Sequence, residues 1–316
     1  MFQRSLAAAL LLAVLAIVPA DPLGWRDEVL VAPGPAVLTY NGLAISTYDS
    51  IIHVAGVVNC NLEPECLLPW YTRSTDGGRT WEPPRHICGG QHACPDNQIA
   101  MVADDGTVVV LAPTGGAIWR DFSPDNGVTW EGSSPFGQGL RPTVTSLWGW
   151  RHAVWDDDRF GGADNTELFF KRSMDQGRTW EPPQGQGVPP DNGMRLTDLP
   201  GRSEDADICS EVLVEEAAPP PQPCGFIIVV WADNFPGGTQ DKFNLRINWS
   251  GTGGENWFYG TSGWLVWPTE ENSRYPAIDC YEAAYPWTLH LVWQEGENKI
   301  YYTRSTDRGA NWDSLQ

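Results

Sequence analysis

One eight-residue pattern, S-x-D-x-G-x-[TN]-W, stands at four places in the chain: STDGGRTW over 74–81, SPDNGVTW over 123–130, SMDQGRTW over 173–180 and STDRGANW over 305–312. A fifth copy, SGTGGENW over 250–257, keeps Ser250, Gly254, Asn256 and Trp257 but carries Thr252 in place of the aspartate. The closing tryptophans recur at intervals of roughly 50 residues, with a longer interval between Trp180 and Trp257, and that period is the length of a four-stranded propeller blade. Within each box the aspartate can accept backbone N–H groups of a tight turn, and the glycine can take the positive φ closed to other residues. The tryptophan is then placed to pack between sheets.

The flanking segments agree. Before each box lies a run rich in aromatic and β-branched residues: LPWYTRS, AIWRDFS, ELFFKRS, FNLRINWS and KIYYTRS. Further upstream, HAVWDDDR, IIVVWADN and LHLVWQEG share a Val-Trp dipeptide followed by polar residues. The second unit reads NQIAMVA, DDG, TVVVLAP, and Asp-Asp-Gly is a strong hairpin signal. With 33 Gly and 26 Pro the chain is too punctuated for a helical bundle, and at 41% hydrophobic residues too apolar for disorder. The expected fold is all-β: one propeller domain over 21–316, of four-stranded antiparallel blades, with five blades recognisable and six if the chain is incomplete. Only DSLQ follows the last box, so the last blade should lack its outer strand, which DEVLVA (27–32) is placed to supply by closing the ring.

Residues 1–20, MFQRSLAAALLLAVLAIVPA, put Arg4 before an apolar run that is shorter than the roughly 20 residues of a membrane-spanning helix and ends at Val18-Pro19-Ala20. This reads as a cleaved secretory signal, giving a secreted protein without a membrane anchor. A net charge of -20 repels nucleic acid and anionic membrane surfaces. Seven cysteines fit an oxidising compartment, with Cys60/Cys66, Cys88/Cys94 and Cys209/Cys224 as close pairs and Cys280 left over. A metal held by His86, Cys88, His92 and Cys94 is the rival to a disulfide-pinned loop there.

The boxes resemble the Asp-box, or bacterial neuraminidase repeat, of the sialidase superfamily, and the resemblance covers residues 36–312. It implies that Asp76, Asp125, Asp175 and Asp307 are structural turn formers on the face away from an active site. It also implies a site on the opposite, top face, where Arg141, Arg202 and Arg274 each precede an innermost strand. Three arginines grip the substrate carboxylate in sialidases, and the planar guanidinium suits that task. Arg274-Tyr275-Pro276 resembles the family's Arg-Ile-Pro but stands in the last blade, not the first, whose GLAIST has no arginine.

The family's tyrosine nucleophile, activated by a glutamate, would be Tyr281 or Tyr275 with Glu211. Glu282 matches Glu211 in the paired segments ICSEVL and DCYEAA, but strand alternation sets it opposite Tyr281. For the acid/base, Asp156, Asp157 and Asp158 are the densest set, with Asp157 at its centre; Glu63 and Glu65 fit the family position better. Either set can be read instead as a Ca²⁺ site or as solvated acids; no other cofactor is implied. Asn248-Trp249-Ser250 is a glycosylation sequon. Two functions follow: a secreted exo-glycosidase cleaving terminal sialic acid or a related sugar from a glycan or glycoprotein, and a non-catalytic propeller binding glycan or protein. Trp70, Trp148, Trp150, Trp264 and Trp267 support the second as stacking surfaces.

Overall fold

A computed structural model describes residues 29–31, 40–59, 67–87, 98–159, 164–183, 193–212, 225–234, 242–281 and 288–314. They form five antiparallel sheets in chain order. Blade one is β1 (Tyr40–Tyr48), β2 (Ile51–Asn59), β3 (Leu67–Ser74) and β4 (Arg85–His86); blade two is β5 (Ala100–Asp104), β6 (Thr107–Thr114), β7 (Ala117–Ser123) and β8 (Ser133–Gln138). Blade three is β9 (Leu140–Leu147), β10 (Trp150–Asp157), β11 (Glu167–Ser173) and β12 (Met194–Arg195); blade four is β13 (Ser203–Val212), β14 (Gly225–Asp233), β15 (Asn244–Ser250) and β16 (Trp264–Trp267). Among the described residues blade five has three strands, β17 (Ser273–Tyr281), β18 (Thr288–Glu295) and β19 (Lys299–Ser305), with no outer strand. The Asp-Asp-Gly signal is the β5–β6 hairpin, with Asp105 and Gly106 both at positive φ (48° and 75°), as a type I′ turn requires.

The innermost strands β1, β5, β9, β13 and β17 surround a hub, where a cavity of about 380 Å³ is lined by residues from all five. Alternating residues of each sheet face opposite neighbours and form four apolar cores. Ala55, Val57 and Tyr71 meet Val108 and Val110; Val109, Leu111 and Phe122 meet Trp155 and Phe169. Val154 and Phe170 meet Ile227 and Trp231; Val230 and Ile247 meet Leu289 and Trp293. Among the described residues no core joins blade five to blade one. Leu43 and Ile45 on β1 are instead 68% and 70% exposed, and Ile300 on β19 is 72% exposed.

In each box the aspartate does what the turn demands. Asp125 Oδ1 accepts the Thr129 amide at 2.7 Å and the Ser123 hydroxyl at 3.0 Å, while Oδ2 accepts the Thr129 hydroxyl at 2.7 Å. Asp76, Asp175 and Asp307 repeat the arrangement. These bonds, led by that of the Thr80 hydroxyl, lower the Asp76 carboxyl to about 2. In the degenerate box of blade four the Thr252 hydroxyl replaces the carboxylate and accepts the Asn256 amide at 2.9 Å. The box glycines then rest on the preceding blade: Gly127 on Tyr71, Gly177 on Val109, Gly254 on Phe170 and Gly309 on Ile247.

Two expectations are corrected. Cys209 pairs with Cys280, not Cys224, because the two lie on the adjacent inner strands β13 and β17 with Cα atoms 6.1 Å apart. Residues 29–31 of DEVLVA are not strand; they share a cavity with Arg79–Pro84 beside the first box instead of completing blade five. Residues 1–20, the Cys60/Cys66 and Cys88/Cys94 pairs and Cys224 lie outside the described residues, so of the set considered for a metal only His86 is within them. No helix among the described residues is long and apolar enough to cross a membrane.

Candidate active site at the top of the hub

Inner strands of blades three to five begin at the end where the second strands finish, and each enters through a β-bulge. The register shifts between Val154 and Asp156, between Glu204 and Asp207, and between Arg274 and Ala277. Arg141, Asp205 and Tyr275 sit at positive φ in these bulges (48°, 56° and 50°), a conformation that costs a branched or bulky residue and recurs at functional sites. The Val-Trp segments fix the strand entrances. Trp231 Nε1 donates to Asp233 at 3.1 Å and the Ser203 hydroxyl donates to the same oxygen at 2.7 Å. Trp293, Glu295 and Ser273 repeat this at 3.0 and 2.7 Å.

The bulges aim three arginines and three carboxylates at one another. Arg141 Nε donates to Asp156 Oδ2 at 2.5 Å and lies 3.4 Å from Asp205 Oδ1, while its Nη2 donates to Glu204 Oε2 at 2.9 Å. Arg274 Nε donates to Asp205 Oδ2 at 2.7 Å, and its Nη2 is 2.9 Å from Glu204 Oε1. Arg202 Nη1 reaches the same Glu204 oxygen at 3.9 Å. Phe243 floors the cluster, with the Arg274 and Arg202 guanidinium carbons 4.1 and 4.8 Å from its ring centre. The carboxylates are almost wholly buried and the arginines are partly open to solvent.

Burial pushes the Asp156 carboxyl up to about 7, Arg141 opposing and the neighbouring Asp205 charge adding to the rise. Asp156 Oδ1 is buried with no hydrogen-bond partner among the described residues, while Oδ2 also accepts the Asp205 amide at 3.2 Å. Burial works against the charge of Arg141, and Asp156, Asp205 and Glu204 more than offset it. Asp205 continues into the hub cavity, where Asp207, Thr143 and Tyr275 also stand. Burial raises Asp207, which accepts the Thr143 hydroxyl at 2.9 Å and the Ile278 amide at 2.8 Å.

The three arginines expected from sequence therefore converge, but on Glu204 and not on open space. Asp157 is buried and paired with Arg159, Nε donating at 2.8 Å; it occupies the register of Asp233 and Glu295, and its neighbour Asp156 joins the cluster. Tyr275 borders the hub cavity and is 61% exposed. Glu211 is buried at the far end of β13, opposite Phe226, so the structure does not bring it to Tyr275. The backbone of Tyr281 pairs with Thr288 at that same far end; its side chain, with Glu282, Glu63 and Glu65, lies outside the described residues. Asp158 is exposed at the end of β10. Among the described residues no group of three or more His, Cys, Asp or Glu is arranged to hold a metal ion. Of the tryptophans, Trp70 is buried, Trp148 lies in the β9–β10 turn at the opposite end from Arg141, and Trp264 and Trp267 share β16, where the exposed Trp264 stacks on Tyr259. Glu204 and Asp205 were missed, although the acidic run Glu204-Asp205-Ala206-Asp207 begins two residues after the expected site arginine Arg202.

No protein-family model matches the sequence, and no curated protein matches it. Solved structures do match in fold. A Penicillium chrysogenum α-L-arabinanase complexed with arabinobiose is 16% identical over 86% of this chain and 80% of its own, with a TM-score of 0.56. The Fusarium graminearum GH93 α-L-arabinofuranosidase gives 15% identity over 89% and 83%, with a TM-score of 0.56. Trypanosoma rangeli sialidase gives 14% over 85% of this chain but only 45% of its own, with a TM-score of 0.51. The chain thus has the β-propeller fold shared by sialidases and GH93 arabinan-cleaving enzymes.

Proposed function

We propose that the protein is an extracytoplasmic glycoside hydrolase that cleaves a neutral glycan with retention of configuration at the arginine–carboxylate cluster. The observation that carries this reading is the carboxyl pair Asp156 and Asp205, bridged by Arg141 Nε at 2.5 and 3.4 Å, of which Asp205 lines the hub cavity and Asp156 is buried behind it. One shared nitrogen keeps the two groups within about 6 Å, closer to the roughly 5–5.5 Å of retaining enzymes than to the wider inverting gap. Asp156, with its proton retained near neutral pH, donates it to the leaving glycosidic oxygen as that C–O bond breaks. Asp205, turned to the cavity and ion-paired with Arg274, attacks the anomeric carbon. Water then displaces Asp205 and returns a proton to Asp156.

A neutral substrate is favoured because Glu204 already occupies the point where Arg141, Arg202 and Arg274 meet. An anionic sugar would have to displace a buried, paired carboxylate. The arabinan-cleaving neighbours support a pentofuranoside as the first substrate class to try, and the sialidase neighbour supports a sialoside as the second. The apolar leader and the Cys209–Cys280 bond support export. No cofactor or calcium ion enters the scheme.

The test is turnover of an aryl α-L-arabinofuranoside, arabino-oligosaccharides and an aryl sialoside, with the anomeric product followed by NMR. Asp156→Asn is expected to lower kcat by roughly 10²–10⁴-fold on substrates whose leaving group needs protonation. Turnover of the sialoside alone would defeat the neutral-glycan reading. A folded protein with no turnover on any of the three would favour the binding propeller.

A further inference from the structure

In every blade the residue before the box and the residue after it come together, because the amide of the second donates to the carbonyl of the first: Glu82 to Arg73, Glu131 to Phe122, Glu181 to Arg172, Phe258 to Trp249 and Asp313 to Arg304. In blades one, three and five the two side chains form an ion pair, with nitrogen and oxygen 2.8, 3.6 and 2.5 Å apart. In blade two Glu131 pairs instead with Arg178 at 2.7 Å. Blade four departs from all of these. Trp249 and Phe258 stand where the ion pair stands elsewhere, their rings stacked with centres 4.3 Å apart and planes at 16°. The same backbone bond forms with either pair, so the fold does not require the aromatic one.

The exchange leaves apolar surface in water. Phe258 is 64% exposed, and Trp264, whose ring centre lies 5.6 Å from that of Tyr259 in a stacked pair, is 54% exposed. Phe258 and Tyr259 meet edge to face at 4.9 Å, so Trp249, Phe258, Tyr259 and Trp264 form one continuous row. Exposed apolar surface gathered in this way marks a contact site. The row is also held in place. Asn248, wholly buried, donates from Nδ2 to the Gly260 carbonyl at 2.7 Å and accepts the Tyr259 amide at 3.0 Å, and Arg246 Nη1 donates to the Ser262 carbonyl at 2.9 Å. The asparagine of the sequon is thus a clamp for the segment that carries the rings.

We propose that this row on blade four is a non-catalytic binding surface for a neutral polysaccharide, anchoring the polymer away from the arginine–carboxylate cluster. The choice of a neutral glycan rests on the function proposed above. The C–H faces of sugar rings stack on flat aromatic surface, and Thr252, Asn256, Thr261 and Ser262, all exposed in the same segment, offer hydroxyl and amide groups to sugar hydroxyls. A net charge of -20 disfavours an acidic polymer or an anionic membrane there. The row is separate from the cluster. The extended chain from Phe243, which floors the cluster, to Trp249 near the end of β15 covers about 20 Å, so a single sugar cannot touch both and a chain of several can.

Affinity electrophoresis of the full chain in native gels containing linear arabinan, a mixed-linkage glucan or polygalacturonate reads binding without turnover. Retardation is expected with arabinan or the glucan and not with polygalacturonate. Phe258→Glu restores the acid of the other blades, and Trp249→Arg together with Phe258→Glu restores the whole ion pair. Each variant should keep Tm within about 5 °C of the parent and weaken binding about tenfold or more. Phe258→Glu alone carries the test where the Trp249 change lowers Tm further. Retardation undiminished in the folded variants would overturn the proposal, as would a parent retarded by neither neutral polymer. So would a parent that sediments as a dimer and a Phe258→Glu variant that sediments as a monomer, because the row would then join two copies. Turnover of the aryl α-L-arabinofuranoside is scored separately. A retarded parent without turnover keeps this surface and defeats the catalytic reading, and turnover without retardation does the reverse.

Discussion

Asp156 is the side chain on which burial and charge are most opposed, and its consequence for stability has a definite sign. In the unfolded chain its carboxyl titrates near the ordinary value of 3.8; in the fold it is raised to about 7. Between those values the folded state binds a proton that the unfolded state does not, so this group's stabilisation is present at low pH and is lost as pH rises through 7. His53 and His152 work the other way. Burial lowers them to about 4 and about 3, so their contribution is lost as pH falls below 6.5. The Asp156 term is isolated by comparing Asp156→Asn with the parent. The variant's stability relative to the parent is expected to climb between pH 4 and 7, by on the order of 2–4 kcal/mol, and to level off above. Parallel urea-denaturation curves across that range would show that Asp156 is not held protonated.

At the scale of the strand and turn, the boxes were legible because every bond that defines them is local, linking residues two or four apart. The degenerate copy yields a prediction from the same logic. Thr252→Asp would restore a carboxylate that accepts both an amide and a side-chain donor where the threonine hydroxyl now accepts one amide. We expect stabilisation of about 0.5–1.5 kcal/mol, read as a raised urea midpoint at unchanged m-value. The site was legible only in part. Arg141, Arg202 and Arg274 announced themselves by standing before inner strands, but their partners did not. Glu204 meets Arg141 only because successive strands enter through bulges, and a bulge changes which way a residue points without changing the sequence pattern. Cys280 was left unpaired in the sequence reading for a like reason: its partner lies in the next blade, 71 residues away, and the nearer Cys224 was the obvious choice.

For the described residues as a whole, five sheets are joined by four cores, none of them between the first sheet and the last, so that they form an open array with two ends. Its stability is then that of a linear array, each blade held by its neighbours, with the end blades held on one side only. Such an array frays from its termini, and here the termini are unequal. The Cys209–Cys280 bond ties blade five to blade four, and closing a 71-residue loop in the unfolded chain is worth about 4 kcal/mol. Blade one has no such tie among the described residues. Native-state hydrogen exchange should therefore find β2 amides opening before those of β18 in the oxidised protein, with the gap narrowed or reversed in Cys209→Ser. Exchange that is uniform across all five blades would mean that the array unfolds as one unit. The disulfide thus acts as a ratchet on the order of unfolding: it leaves blade one as the first blade a protease in the surrounding medium can reach, and the Arg141–Asp156–Glu204–Asp205 cluster is carried by blades three and four, away from that end.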